Sequence, residues 1–128
     1  MQAQNQSSLK KYLTKAQIEI LVRQHFAIIN ERDPVKRIEM MQKSYSKNFH
    51  INDTHFEHIN YRDFNGTIQQ IHKKFPDNYF IPTSALQTLP NAAKISWKLG
   101  NDIIGEDIFI FKNGKIKTIL AFAEPAPG

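Results

Sequence analysis

Cysteine is absent from the 128-residue chain, which removes disulfide frameworks, thiolate metal sites and cysteine nucleophiles together. Any nucleophile or ligating group must come from histidine, a carboxylate, tyrosine, serine or threonine. No apolar run approaches the length of a membrane span. Met1 to Ser8 lacks the apolar stretch of a secretory signal, so the expectation is a cytoplasmic protein with no membrane contact. Phosphate loops, nucleophile elbows and zinc signatures are missing, as are internal repeats and low-complexity segments. The formal charge of +5 has no focus, with Lys10, Lys11 and Lys15, then Lys73 and Lys74, then Lys112, Lys115 and Lys117 spread along the chain. A nucleic-acid footprint is clustered and interleaved with exposed aromatics. No nucleic-acid partner is expected, and the charge bears on solubility and steering.

The composition, 41% apolar and 23% charged, is close to globular averages and argues against disorder. The length suffices to bury a core without metals or disulfides. One domain over residues 14–123 is expected, between a polar, unpatterned tail over 1–13 and a loose C-terminal tail over 124–128.

Thr14 with Gln17 forms a capping box, and Ile18, Leu21, Val22, Phe26 and Ile29 follow at helical spacing. Asp33-Pro34 reads as a cap and first turn, with Val35, Ile38 and Met41 marking the buried side of a second helix to about Gln42. Beyond Ser44 the pattern alternates, with Phe49 and Ile51 on one side of a strand and Asn48, His50 and Asn52 on the other. Asp53 to Ile59 reads as a loop. Asn60 with Asp63 caps a third helix carrying Tyr61, Phe64, Ile68, Ile71 and Phe75. Gly66 is discordant inside it, so the helix starts either at Asn60 or near Thr67.

Strands are expected at about 78–82, 84–89, 92–99, 104–112 and 115–123. The Asn113-Gly114 turn closes the last hairpin as a type I′ turn. Simple alternation from it sets Phe111 opposite Ile116, Phe109 opposite Thr118, Asp107 opposite Leu120 and Gly105 opposite Phe122 on one face. The other face carries Ile108, Ile110, Ile119 and Ala121. Both faces are apolar and need cover; the helices supply one cover, and a second subunit is the expected other.

Three helices followed by four or five strands, with Trp97, Gly105-Glu106-Asp107, Phe111-Lys-Asn-Gly-Lys-Ile116 and a final Phe122, resemble the SnoaL-like branch of the nuclear-transport-factor-2-like superfamily over residues 14–123. The resemblance implies an α+β fold in which three N-terminal helices pack in the concave side of a strongly bent antiparallel sheet. This cone-shaped α+β barrel encloses a pocket, and many members dimerise through the outer sheet face. Members include polyketide cyclases, ketosteroid isomerase, limonene epoxide hydrolase and scytalone dehydratase, so fold does not name function.

Asp107 is a lone carboxylate on a strand face otherwise made of Phe109, Phe111, Leu120 and Phe122. Burial is how a carboxyl is tuned toward acid-base work near neutral pH, and in the cyclase-like enzymes that this chain resembles an aspartate on a late strand does that work. The plain reading is an aspartate hydrogen-bonded to Trp97 or a histidine without chemistry. Trp97 shares the pocket face if Gly100, Asn101 and Asp102 form a three-residue loop, and leaves it if the loop is one residue shorter or longer. His25 lies on the buried side of the first helix, either as a core residue or as a partner of Asp107. His72 beside Lys73 and Lys74 reads as solvated.

His50, His55 and His58 with Asp53 and Glu57 invite a metal reading, but no regular element makes them converge. The expectation is no metal and no cofactor, with His50 and Asn52 facing the cavity and His55 and His58 near its mouth. Tyr45, Tyr61 and Tyr79 are candidate donors to a ligand carbonyl or plain rim and core aromatics, and Tyr61 begins the buried stripe of its helix. The expected function is binding of a small, largely apolar molecule, with Asp107 and His25 as the candidate catalytic pair and Trp97, His50, Asn52, Tyr61, Phe109, Leu120 and Phe122 as ligand contacts. The alternatives are a cofactor-free isomerase, cyclase or dehydratase using Asp107 as general acid/base, and a protein-interaction module working through the outer sheet face.

Overall fold

Residues 12–128 are described by a computed structural model. The expected tail over 1–13 lies, up to residue 11, outside the described residues, while Leu13 already packs against the core.

Helix α1 (Lys15–Asn30) starts with the reciprocal Thr14–Gln17 capping box. Its apolar stripe is buried as expected, together with His25. Helix α2 (Pro34–Ser44) is capped by Asp33, whose side chain accepts from the Val35 and Lys36 amides at 2.9 and 3.4 Å. Its buried face differs from the apolar stripe. Arg37, Met41 and Ser44 are buried, whereas Val35 is 71% exposed. Arg37 is accommodated because its guanidinium donates to Glu31 O, to both Asn65 oxygens and to Gln69 Oε1. These bonds replace the water it loses.

Helix α3 (Tyr61–Lys74) begins at the Asn60 cap, whose side chain accepts from the Asp63 amide at 2.9 Å. Gly66 is therefore a helical residue. His72, expected in solvent, is buried. One turn of helix separates it from Ile68, so it extends the Phe64–Ile68 ridge, and its Nε2 donates to Ile29 O at 2.8 Å.

The strands are β1 (Tyr45–Asp53), β2 (Glu57–His58), β3 (Phe80–Pro82), β4 (Gln87–Leu89), β5 (Ala92–Leu99), β6 (Ile103–Lys112) and β7 (Lys115–Pro125). They form one sheet in the order β2-β1-β7-β6-β5-β3, with β4 also on β5. The α+β class holds, with two differences. The sheet is mixed, because β1 runs parallel to β7, and it is open rather than closed into a barrel. Local turn chemistry predicts pairing only between successive strands, and β1 reaches β7 from across the sequence. The C-terminus is also tighter than expected. Glu124 and Pro125 belong to β7, and the Ala126 amide donates to Asp102 O at 2.8 Å.

The last hairpin decides which side chains face inward. Asn113 and Gly114 take φ of 53° and 77°, as a type I′ turn requires, and Phe111 does pair with Ile116. Ile110, however, pairs with Thr118, so β7 advances two residues where β6 advances one. Lys117 is the extra residue of a β-bulge, and a bulge exchanges the faces of every later residue relative to simple alternation. Asp107 therefore pairs with Ala121 and Gly105 with Ala123. Leu120 and Phe122 turn to the outer face, Phe122 being 55% exposed.

Candidate functional site

A cavity of about 330 Å³ lies between α1, α3 and the inner sheet face. Its walls are apolar, built largely of Ile29, Phe64, Ile68, Leu99, Ile103 and Ala121. Polar groups sit at its two ends. His25, Trp97 and Asp107 form the floor, each 6% exposed or less. Asp53, His55 and Lys74 lie at the mouth, where the His55 side chain is 68% exposed.

The floor is assembled from two strands and a helix. Leu99 pairs with Ile103, so Gly100, Asn101 and Asp102 form a three-residue loop, and Gly100 takes a positive φ of 59°. That loop sets Trp97 opposite Gly105 and Ile95 opposite Asp107 on the inner face. Gly105 provides the space for the indole, since a Cβ there would lie 2.2 Å from the ring. Lying over the glycine, the indole reaches along β6 and donates its Nε1–H to Asp107 Oδ1 at 2.9 Å. The Gly-x-Asp spacing thus gives the ring its space at one position and its acceptor two residues on.

His25 comes from the buried stripe of α1, with its ring edge-on to Phe26 and Phe109 at centroid distances of 5.5 and 5.2 Å. Its Nε2 stands 3.5 Å from Asp107 Oδ2, longer than a well-formed hydrogen bond. Its Nδ1 is 2.7 Å from the Tyr45 hydroxyl. Burial, and then the nearby Asp107 charge, push the Tyr45 phenol well above its ordinary pKa, so it keeps its proton. Asp107 Oδ2 accepts no hydrogen bond among the described residues. The floor therefore offers one carboxylate oxygen with open lone pairs, an imidazole and an indole at the end of an apolar cavity.

Several expected ligand contacts lie elsewhere. His50 and Asn52 are on the outer side of β1, because alternation turns Phe49, Ile51 and Asp53 inward. His50 bonds Glu57 at 2.7 Å there. Tyr61 is half-buried against Tyr45, with ring centroids 6.4 Å apart, and does not line the cavity. Phe109 is fully buried behind His25 and supports that ring without lining the cavity. Leu120 and Phe122 are displaced by the Lys117 bulge, and Ala121 and Ala123 line the wall instead.

The three histidines of the 50–58 segment take three separate partners: Glu57 for His50, Asp53 for His55 and Thr67 for His58. Tyr45, expected as either a donor to a ligand carbonyl or a plain rim or core aromatic, is buried with its hydroxyl hydrogen-bonded to His25. The cavity residues missed from the sequence include Asp53, Thr67, Lys74, Phe80, Ala121 and Ala123. Only the small size of the two alanines hinted at a cavity wall.

No family model matches the chain, and no curated protein matches it. Solved structures do. A candidate isomerase of the SnoaL-like family from Agrobacterium tumefaciens str. C58 is similar at a TM-score of 0.79 and 19% identity, over 85% of this chain and 98% of that one. A SnoaL-like protein of unknown function from Burkholderia thailandensis E264 is similar at a TM-score of 0.70 and 14% identity, over 90% and 99% of the two chains. A de novo designed protein with a curved β-sheet also reaches 0.70, at 17% identity over 88% and 89%. The chain has the fold of the SnoaL-like and nuclear-transport-factor-2-like proteins. A fold shared by a designed protein and a protein of unknown function names no activity by itself.

Proposed function

We propose that this chain, with its SnoaL-like fold, holds a small and largely apolar molecule in the cavity, the molecule's polar group set against His25 and Asp107. One observation carries the proposal: an apolar cavity of about 330 Å³ ends on three buried polar side chains. That size is near the low end of the roughly 300–1,000 Å³ typical of ligand pockets. Apolar walls with a few convergent polar groups favour a ligand that leaves water for most of its surface and keeps one or two hydrogen bonds. Native mass spectrometry of the purified protein tests this. A co-purified small-molecule adduct is expected, and it should vanish in Ala123→Phe, which fills the cavity from the sheet side. An adduct that survives Ala123→Phe in a folded protein would place the ligand elsewhere and end this reading.

A second reading is supported by the free Oδ2 of Asp107 beside an imidazole. Such a pair suits cofactor-independent proton transfer of the isomerase, cyclase or lyase type, with Asp107 as general acid/base and His25 as its partner. Asp107→Asn keeps an acceptor for the Trp97 N–H while removing the basic oxygen. Loss of turnover by about 100-fold or more, with ligand affinity within about tenfold, is the outcome expected for an acid/base residue. Unchanged turnover would leave binding alone.

The outer face of β6 and β7 carries Ile104, Ile108, Ile110, Leu120 and Phe122. These apolar side chains support a homodimer through that face, and a different protein on the same face is the rival occupant.

A further inference from the structure

We propose that Tyr45 is a positioning residue that holds His25 as the neutral tautomer with its proton on Nε2, leaving Asp107 Oδ2 as the basic atom of the cavity floor that accepts no hydrogen bond among the described residues. The inference deepens the acid/base reading above and rests on it for its functional meaning, but its structural content stands on hydrogen-bond accounting.

Tyr45 is 1% exposed, and its hydroxyl has one hydrogen-bond partner among the described residues, His25 Nδ1 at 2.7 Å. A buried hydroxyl hydrogen without an acceptor is costly. If Nδ1 carried a proton, the phenol hydrogen would either meet it along the same line or rotate away and be stranded among Phe49, Phe64 and Tyr61. The raised pKa of Tyr45 argues in the same direction, since the phenol does not give up its hydrogen. Nδ1 is therefore the acceptor, and in a neutral ring the proton belongs on Nε2. That nitrogen faces Asp107 Oδ2 across 3.5 Å, where an N–H pointing at a carboxylate is favourable and a lone pair is not.

The consequence reverses the usual division of labour in a histidine–aspartate pair. Where an aspartate orients a histidine, the far ring nitrogen is the base. Here the far nitrogen is spent on Tyr45. Asp107 Oδ1 already accepts the Trp97 N–H, so Oδ2, which accepts no hydrogen bond among the described residues, is the oxygen with most to offer a ligand proton. His25 serves as an N–H donor beside it, suited to a ligand oxygen. The class of ligand implied is a neutral molecule with a transferable proton and a nearby hydrogen-bond-accepting oxygen.

Long-range ¹H–¹⁵N spectra of the histidine rings test the assignment, because they separate protonated from unprotonated ring nitrogens without any ligand or turnover. The chain has five histidines, and His25→Gln identifies the His25 signals by their disappearance. The expected result at neutral pH is a pyrrole-type Nε2 and a pyridine-type Nδ1, moving toward a mixture of tautomers in Tyr45→Phe. A proton on Nδ1 in the unmodified protein, alone or together with one on Nε2, would overturn the proposal, as would a Tyr45→Phe spectrum identical to the unmodified one. Should Tyr45→Phe fail to fold, the unmodified protein still decides. A slowly exchanging hydroxyl proton correlated across the hydrogen bond with Nδ1 supports the role of Tyr45, and its absence refutes it. These outcomes are independent of whether any ligand is turned over, so failure of the tautomer assignment and failure of the acid/base reading remain distinguishable.

Discussion

A methyl group on Gly105 would lie 2.2 Å from the Trp97 ring, inside any real carbon–carbon contact. Gly105→Ala must therefore push the indole off β6 and away from Asp107. The expected cost is about 1–3 kcal/mol, the range for an overpacked buried site. Trp97 is the only tryptophan, so a red-shifted emission together with a lower denaturation midpoint would report the displacement directly. A second residue-scale expectation concerns Arg37, which is fully buried and holds Glu31 O and Asn65 O. Arg37→Met leaves Glu31 O without its donor, whereas Asn65 O, inside α3, keeps its helical amide. At about 1–3 kcal/mol for an orphaned buried group, a loss of about 1–3 kcal/mol by urea denaturation is expected, and a neutral result would mean that water replaces the guanidinium.

Asp107, Trp97 and His25 were legible in the sequence because each is a polar or amphipathic residue within an apolar pattern. Arg37 and His72 were not, since their partners are carbonyls and side chains of other elements that no local pattern reveals.

At the scale of elements, α3 carries an avoidable weakness. Gly66 sits in the helix interior, and a methyl added there would meet nothing within 4 Å. Gly66→Ala should raise stability by up to about 1 kcal/mol, read as a higher melting temperature, and a decrease would reveal a close approach that the helix geometry does not show. His72 ties α3 to α1 through Ile29 O and lies 3.4 Å from Arg37. Burial lowers its pKa; the Ile29 bond opposes that, and the charges of Arg32 and Arg37 add to it. In the unfolded chain His72 takes up a proton below about pH 6.5, whereas the folded protein takes it up only at lower pH. The unfolded state binds more protons in that window, so stability is complete above about pH 6.5 and falls as the pH drops. His72→Gln should flatten that acid limb in denaturation curves collected from about pH 7.5 to about pH 5, and an unchanged slope would assign the loss to other groups.

The elements themselves were readable where caps and turns are local, at Thr14–Gln17, Asp33-Pro34, Asn60–Asp63 and Asn113-Gly114. The Lys117 bulge carries no comparable signal, and that single extra residue moved Leu120 and Phe122 to the outside.

For the whole molecule, the exposed Phe122 and the half-buried isoleucines of β6 make association the expected state. Light scattering should give a dimer, and Phe122→Glu should shift it toward monomer without altering the cavity, because Phe122 does not line the cavity. A monomer at all concentrations would leave that face to a different protein.

By itself the sequence determined the class of fold, the three helices with their caps, the final hairpin turn and the setting of Asp107 and His25 within apolar patterns. These follow from local chemistry: helical periodicity, side chains that cap a first turn, and backbone angles that only certain residues adopt. The tertiary structure alone decided that β1 runs parallel to β7, that the sheet stays open, and that a bulge hands the cavity wall to Ala121 and Ala123. It also decided what Asp107 faces. Strand partners distant in sequence, and the one-residue register between them, set which side chains meet, and neither is encoded within any short stretch of the chain.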